Sequence, residues 1–446
     1  YSDMNGYGAT LNLYFIYKFY WLCLGIVFYI ITALFYVRGL PNNFKEKLII
    51  AKSRFNGKYP FFISIFTIIF ISIGGYIYYT NNILNDRTSS KEREIETVEW
   101  EKKYKKYENY NQPRIVSVNV DVNIFPDSRD VNSSGEYIMI NKTTEPIDSI
   151  FLDHNSALST FKFDKENSLV SEDTLYNFDI YKLKKPLFTG DTLKLSFTVK
   201  NKPNTLLRNN SSVIYNGTFL NSSLFPSLGY SRGELTDDKT REKYDLPPNK
   251  LKPHPSDSTA LGNTYIAKDA DWIDFEATVS TSKDQIAIAP GYLQKEWIEG
   301  DRRYFHYKMD SKILNFYAFN SAKYEVVQDK WNDVNLEIYY HKDHDYNLDR
   351  MMKGMKAALD YCTENFSPYQ HKQLRIIEFP KTAGGFAQSF PNTIPFSESV
   401  GFIADVDDSE EGGNDYAFFI TVHEVAHQWW AHQVIGADVL GATVLS

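Results

Sequence analysis

The apolar positions of this chain follow three rhythms. The first is continuous. Phe19 to Val37 and Phe61 to Tyr79 are each 19 residues without a charge. Helices of that length can cross a bilayer core. Tyr14, Tyr17, Tyr20 and Trp21 crowd one end of the first run, and Tyr76, Tyr78 and Tyr79 the far end of the second. Amphipathic rings favour the membrane interface. The pattern predicts a transmembrane helical hairpin over residues 1–80, with its loop at 38–60. The second rhythm has period two. Val116, Val118, Val120, Val122 and Ile124 alternate with polar residues, which places all five on one sheet face. Leu193, Leu195, Phe197 and Val199 repeat this, as do Phe275, Ala277 and Val279, and Val334, Leu336, Ile338 and Tyr340. Short alternating strands predict a β-sandwich or saddle-shaped domain over 112–330. The third rhythm is helical. Leu348, Met351, Met352, Met355, Leu359 and Cys362 make Asp349 to Asn365 an amphipathic helix whose Met stripe faces a core. Leu374 to Phe379 reads as a strand stopped by Pro380. This switch from strands to helix opens a second folded domain at 331–446, so the chain reads as α+β and multidomain. Residues 81–111 are polar with mixed charges, such as Lys91, Glu92, Arg93 and Glu94, and read as a solvated helix or stalk.

Charge orients the hairpin. Its loop holds Arg38, Lys45, Lys47, Lys52, Arg54 and Lys58 against Glu46 alone. Positive loops stay in the cytoplasm, so everything after Thr80 is expected outside it. The chain carries -8 overall, and its lack of a basic excess argues against a nucleic-acid partner. Two cysteines in 446 residues exclude a disulfide scaffold and a four-Cys zinc site. Cys23 lies within the first span and Cys362 in the outer part, so they cannot readily pair.

Candidate chemistry gathers near the far end. In His423-Glu424-Val425-Ala426-His427 the two histidines are four apart, which puts both on one helix face within reach of one zinc ion. Glu424 stands beside them as a general base for an activated water. Asn414 or Asp415 can cap such a helix and Gly436 can end it. His432, about half a turn from His423, reads as a surface histidine. His341 and His344 could form a second ligand pair, although they fit a strand end better. Asp405, Asp407, Asp408, Glu410 and Glu411 lack the alternating spacing of a calcium loop and read as a solvated loop.

His423 to Trp429, H-E-V-A-H-Q-W, resembles the motif of the aminopeptidase N-like gluzincins, zinc metallopeptidases with a thermolysin-like catalytic domain. The resemblance covers about residues 112–446 and is strongest at the motif. The hairpin ahead of it is similar to bacterial fusions of an ABC-transporter permease with such a peptidase, of which the last two spans would be present. The resemblance implies Zn2+ on His423 and His427, with Glu424 catalytic. The family's third ligand is a Glu about nineteen residues beyond the second His, which leads from His427 to Ser446 and just beyond it. The family's transition-state Tyr would also lie further on. With two histidines alone, weak zinc binding and no useful catalysis are expected. The family's G-x-M-E-N motif uses its Glu to hold a substrate amine. Aligned from Pro380, it falls on Gly385-Phe386-Ala387-Gln388-Ser389, with Gln388 in place of Glu. Aligned from the right, it falls on Ser397-Glu398-Ser399-Val400-Gly401 and keeps Glu398. A neutral Gln binds an ammonium less strongly than a carboxylate does. The implied protein is a multi-pass protein of the bacterial inner membrane with its C-terminal region periplasmic. Its implied partners are a peptide substrate and an ABC-transporter ATPase subunit. The rival expectation is a permease component whose peptidase-like domain binds without cleaving.

Overall fold

A computed structural model of the protein describes residues 1–36, 43–84, 89–155, 158–202, 211–406 and 415–442. Arg38, Asp407, Asp408, Glu410, Glu411, Asn414 and Ser446 lie outside the described residues. The described chain forms two units, one from Tyr7 to Ser90 and one of Tyr1–Gly6 with the chain from Lys91 on.

The first unit holds the helices Thr10–Phe35 and Lys58–Asn82, both long and apolar enough to cross a membrane. They pack through Tyr20, which stacks on Phe70 at 4.3 Å and lies against Gly74. Asn81 Nδ2 donates to the Tyr17 hydroxyl at 3.1 Å. Phe15, Trp21, Phe28, Ile68 and Ile71 point away from this seam and stay exposed. An apolar surface this continuous is unusual for a soluble fold. Between the spans lies the cationic helix Phe44–Arg54. Arg54 donates to the carbonyl of Tyr36 at 2.6 Å, at the C-terminus of the first helix, where a cation is favoured.

In the second unit the predicted alternation builds a seven-stranded sheet around Arg114–Phe125. That strand runs parallel to Ala270–Ser282 and antiparallel to Asp130–Ile140. The register slips between Ile115 and Ser117. At that bulge Ile115 enters the core, and Val116 is left half-buried beside Val118, Val120, Val122 and Ile124. The single face of five expected from the alternation is thus corrected by one residue. Two smaller sheets share the same core. One runs through Asn167–Asp173, Phe178–Leu187, Ile147–Asp153 and Ser227–Leu228, the other through Ile286–Ile288, Ala318–Ala322 and Thr218–Asn221.

The polar stretch before these strands is not a free stalk. It forms the helix Ser90–Tyr104, which buries Val98, Trp100, Glu101 and Tyr104. Trp100 lies against Tyr176, Phe178 and Tyr230, and Arg232 covers its ring at 4.6 Å. Glu101 forms a two-pronged ion pair with Arg241 at 2.6 and 2.9 Å, both side chains buried. The mixed charge hid one buried stripe within a polar sequence.

A separate four-stranded sheet carries the candidate chemistry, in the order Glu325–Trp331, Val334–Tyr340, Gln373–Phe379 and Thr393–Ser397. Its last three strands are parallel. Leu348–Asn365 is the amphipathic helix expected, and its apolar stripe, Met351, Met355, Leu359 and Cys362 included, is buried against that sheet. Arg375 sits fully buried in the third strand. It donates to the carbonyls of Ala289 and Gly291 at 2.7 and 3.0 Å and to the Thr393 hydroxyl at 3.0 Å. One guanidinium thereby ties this sheet to the β-rich region.

Candidate metal centre

The helix Tyr416–Ala426 presents the histidine pair. Asp415 caps it, accepting from the Phe418 N–H at 2.9 Å and from Arg350 at 2.8 Å. Its buried face meets Leu348–Asn365 at Gly354, where a Cβ would stand 3.0 Å from Thr421 Cγ2. Only a residue without a side chain lets the two helices approach this closely.

The helix ends at Ala426, ten residues before the Gly436 expected to stop it. His427 keeps helical φ and ψ as the cap, so the four-residue spacing survives. The chain then reverses, with Ala431 at φ 119°. That reversal overturns the reading of His432 as a surface histidine. The spacing argument held only if the helix continued. Instead His432 is buried and hydrogen-bonded to the Ser389 carbonyl at 3.1 Å. Burial pushes its imidazole down to about 4.

His423 and His427 bring their Nε2 atoms to 3.2 Å, with the rings nearly perpendicular. Two nitrogens at about 2.0–2.1 Å from one tetrahedral ion would stand about 3.3 Å apart. His427 Nδ1 donates to the Trp430 carbonyl at 3.1 Å, which leaves Nε2 with its lone pair free. Burial, and His427 beside it, hold the His423 imidazole below its ordinary range, toward the neutral form that ligates metal. The donor set therefore fits zinc, with a third protein ligand still required.

Glu424 is buried next to the pair. Burial raises its carboxyl to about 7, and the Ser389 backbone N–H opposes that shift. Residues near Ser389 fold back on the last strand through bridges from Ala387 to Phe396 and from Phe390 to Thr393. Gln428 fixes this turn. Its Nε2 donates to Ser389 Oγ at 2.6 Å and to the Phe390 carbonyl at 2.8 Å, and its Oε1 accepts from the Asn392 N–H at 2.9 Å. Spacing in the sequence assigns no role to Gln428 or Ser389. A glutamine directly after the second histidine, off the apolar face, was the available signal.

Half-buried Gln388 precedes Ser389, and its N–H donates to the Pro395 carbonyl at 3.0 Å. Glu398 lies past the opposite end of the strand Thr393–Ser397, buried with its carboxylate on the Lys381 N–H and the Ser2 hydroxyl. The two candidates for the amine-binding position therefore lie apart, Gln388 opposite Pro395 and Glu398 beyond the end of the strand.

His341 and His344 do not merely decorate a strand end. His344 is buried, and its Nδ1 donates to Glu378 at 2.5 Å.

No family model matches the sequence, and neither does any curated protein. Among solved structures the chain is similar to an M1 zinc metallopeptidase from Deinococcus radiodurans, at 13% identity and a TM-score of 0.46, covering 74% of this chain and 66% of that one. A two-domain M1 zinc metallopeptidase bound to L-arginine is similar at 12% identity and a TM-score of 0.45, covering 72% and 65%. The chain spans about two thirds of the length of these proteins.

Proposed function

We propose that this is a membrane-anchored, zinc-dependent metallopeptidase of aminopeptidase-like type, acting outside the cytoplasm. The observation that carries the reading is the convergence of His423 and His427 Nε2 at 3.2 Å beside a buried carboxyl. His423 and His427 would hold the ion, with a third ligand expected further along the chain. Zinc there supplies Lewis acidity and lowers the pKa of a water. The protein's own part is proton movement. Glu424, raised toward neutrality by burial, takes the water's proton and returns it to the leaving amine. The Ser389 N–H favours the charged form of that carboxylate, and Gln428 holds Ser389. Gln388 would meet the substrate's amino end as a neutral acceptor, which relaxes selection for a free amine. Glu424→Gln should keep zinc and lose turnover of peptide substrates by about a thousandfold or more. Retained turnover would remove Glu424 from this role. A full chain without bound zinc would instead favour the permease-scaffold reading, for which the neutral Gln388 speaks.

The apolar helices and the cationic segment between them support an inner-membrane hairpin with a cytoplasmic loop, and we propose an ABC-transporter ATPase subunit as the partner of that loop. A Lys47→Cys variant should react with an impermeant maleimide only after the cells are opened. Labelling of intact cells would reverse the orientation.

A further inference from the structure

A second cluster of ligand-type side chains stands apart from the histidine pair, and it draws in the residues just ahead of the first apolar helix. Ser2 and Met4 are buried in the same unit as the sheets. Met4 packs with Ile288, Ala322, Tyr324 and Ile377, and its carbonyl accepts from Asn216 Nδ2 at 2.8 Å. Ser2 Oγ donates to Glu398 Oε2 at 3.1 Å. Asp3 is thereby delivered to His344 and Glu398, and the ligand atoms of the three lie within 4.8 Å of one another.

Two independent features call for a cation. The first is charge. Glu378 and Glu398 expose none of their surface, and Asp3 adds a third carboxylate. Among the described residues no lysine or arginine side chain forms an ion pair with any of them. Among the described residues His344 is the one side chain ion-paired with Asp3 or Glu378, and a single imidazole leaves an excess of negative charge that is costly to bury. The second is orientation. In the neutral ring that ligates metal, His344 Nδ1 donates to Glu378 Oε1 and Nε2 keeps its lone pair. That Nε2 faces the Asp3 carboxylate at 3.7 Å, too far for a hydrogen bond. A lone pair opposed to an anion repels it, whereas an ion between them makes both of them ligands. A carboxylate behind a ligating histidine is the usual outer support of a metal site. Two ligands of one zinc ion stand about 3.4 Å apart at the tetrahedral angle, and further apart as that angle opens.

We infer that Asp3, His344 and Glu398 form a second zinc site, which clips the segment before the first apolar helix onto the end of the parallel sheet. This inference does not depend on the peptidase reading. The test uses the full-length protein with His423→Ala and His427→Ala, dialysed against zinc-buffered solution and assayed for metal. About one zinc per chain should remain, and His344→Ala added to that background should remove it. Asp3 is partly exposed, so Asp3→Asn keeps the fold and should weaken zinc binding in the same background by about tenfold or more. A zinc-free double variant that is folded by circular dichroism would overturn the site and leave His344 as an imidazolium between carboxylates. Unchanged affinity in Asp3→Asn would overturn the clip.

Discussion

Gln428 makes four hydrogen bonds from a fully buried side chain, three of them to the turn at Ser389–Asn392 and a long one from the Tyr369 hydroxyl. Its removal would leave several buried polar groups without partners, at about 1–3 kcal/mol each. Because that turn carries the N–H facing Glu424, Gln428→Ala should lower kcat about tenfold to a hundredfold while zinc content stays at the wild-type level. Loss of zinc instead would place Gln428 in metal retention. At this scale the sequence was legible wherever the chemistry is local. A histidine, a glutamate and a second histidine declare themselves because four residues along a helix span one face. His432 does not, because its burial follows a chain reversal at Ala431 that no spacing rule contains, and Gln428 does not, because its partners lie in the distant turn at Ser389–Asn392. The choice between Gln388 and Glu398 was likewise closed to spacing. Gln388 pairs with the middle of the strand Thr393–Ser397, its N–H on the Pro395 carbonyl, and Glu398 follows the end of that strand, a placement that spacing does not contain.

Elements with a strong rhythm were read well. Leu348–Asn365 and Gln373–Phe379 lie within a residue of where their patterns place them. The helix Ser90–Tyr104 was read as solvated because most of its residues are charged, and one buried stripe decides its place. The Glu101–Arg241 pair anchors that stripe. Arg241→Met should leave Glu101 buried without a partner and destabilise the unit that holds the sheets by about 3–5 kcal/mol. Chemical denaturation of the full chain followed by tryptophan fluorescence would report it through Trp100. A change below about 1 kcal/mol would show that the helix is held by its aromatic cluster alone.

For the molecule as a whole, acid is the revealing variable. His371 is buried, and desolvation lowers it to about 4. Its folded pKa lies below the unfolded value near 6.5, so between about 4 and 6.5 the unfolded chain binds the extra proton. The stability this neutral histidine preserves is complete above about 6.5 and is lost as pH falls toward 4, on the order of 3 kcal/mol in full. Glu378, which burial raises to about 7, acts with the opposite sign, so the comparison must be with a variant. The drop in urea midpoint from pH 7 to pH 5 should be smaller in His371→Leu than in the wild type. Equal drops would remove His371 from the acid response.

The guanidinium of Arg375 has a consequence for how this part of the protein can change. It stands in the parallel sheet, yet two of its acceptors are carbonyls of Ala289 and Gly291, contributed by the β-rich region. Neither region can be exchanged for a counterpart from another protein without stranding a positive charge in the interior or leaving carbonyls facing nothing. A recombination that keeps this contact must break the chain outside the stretch from Ala289 to Arg375.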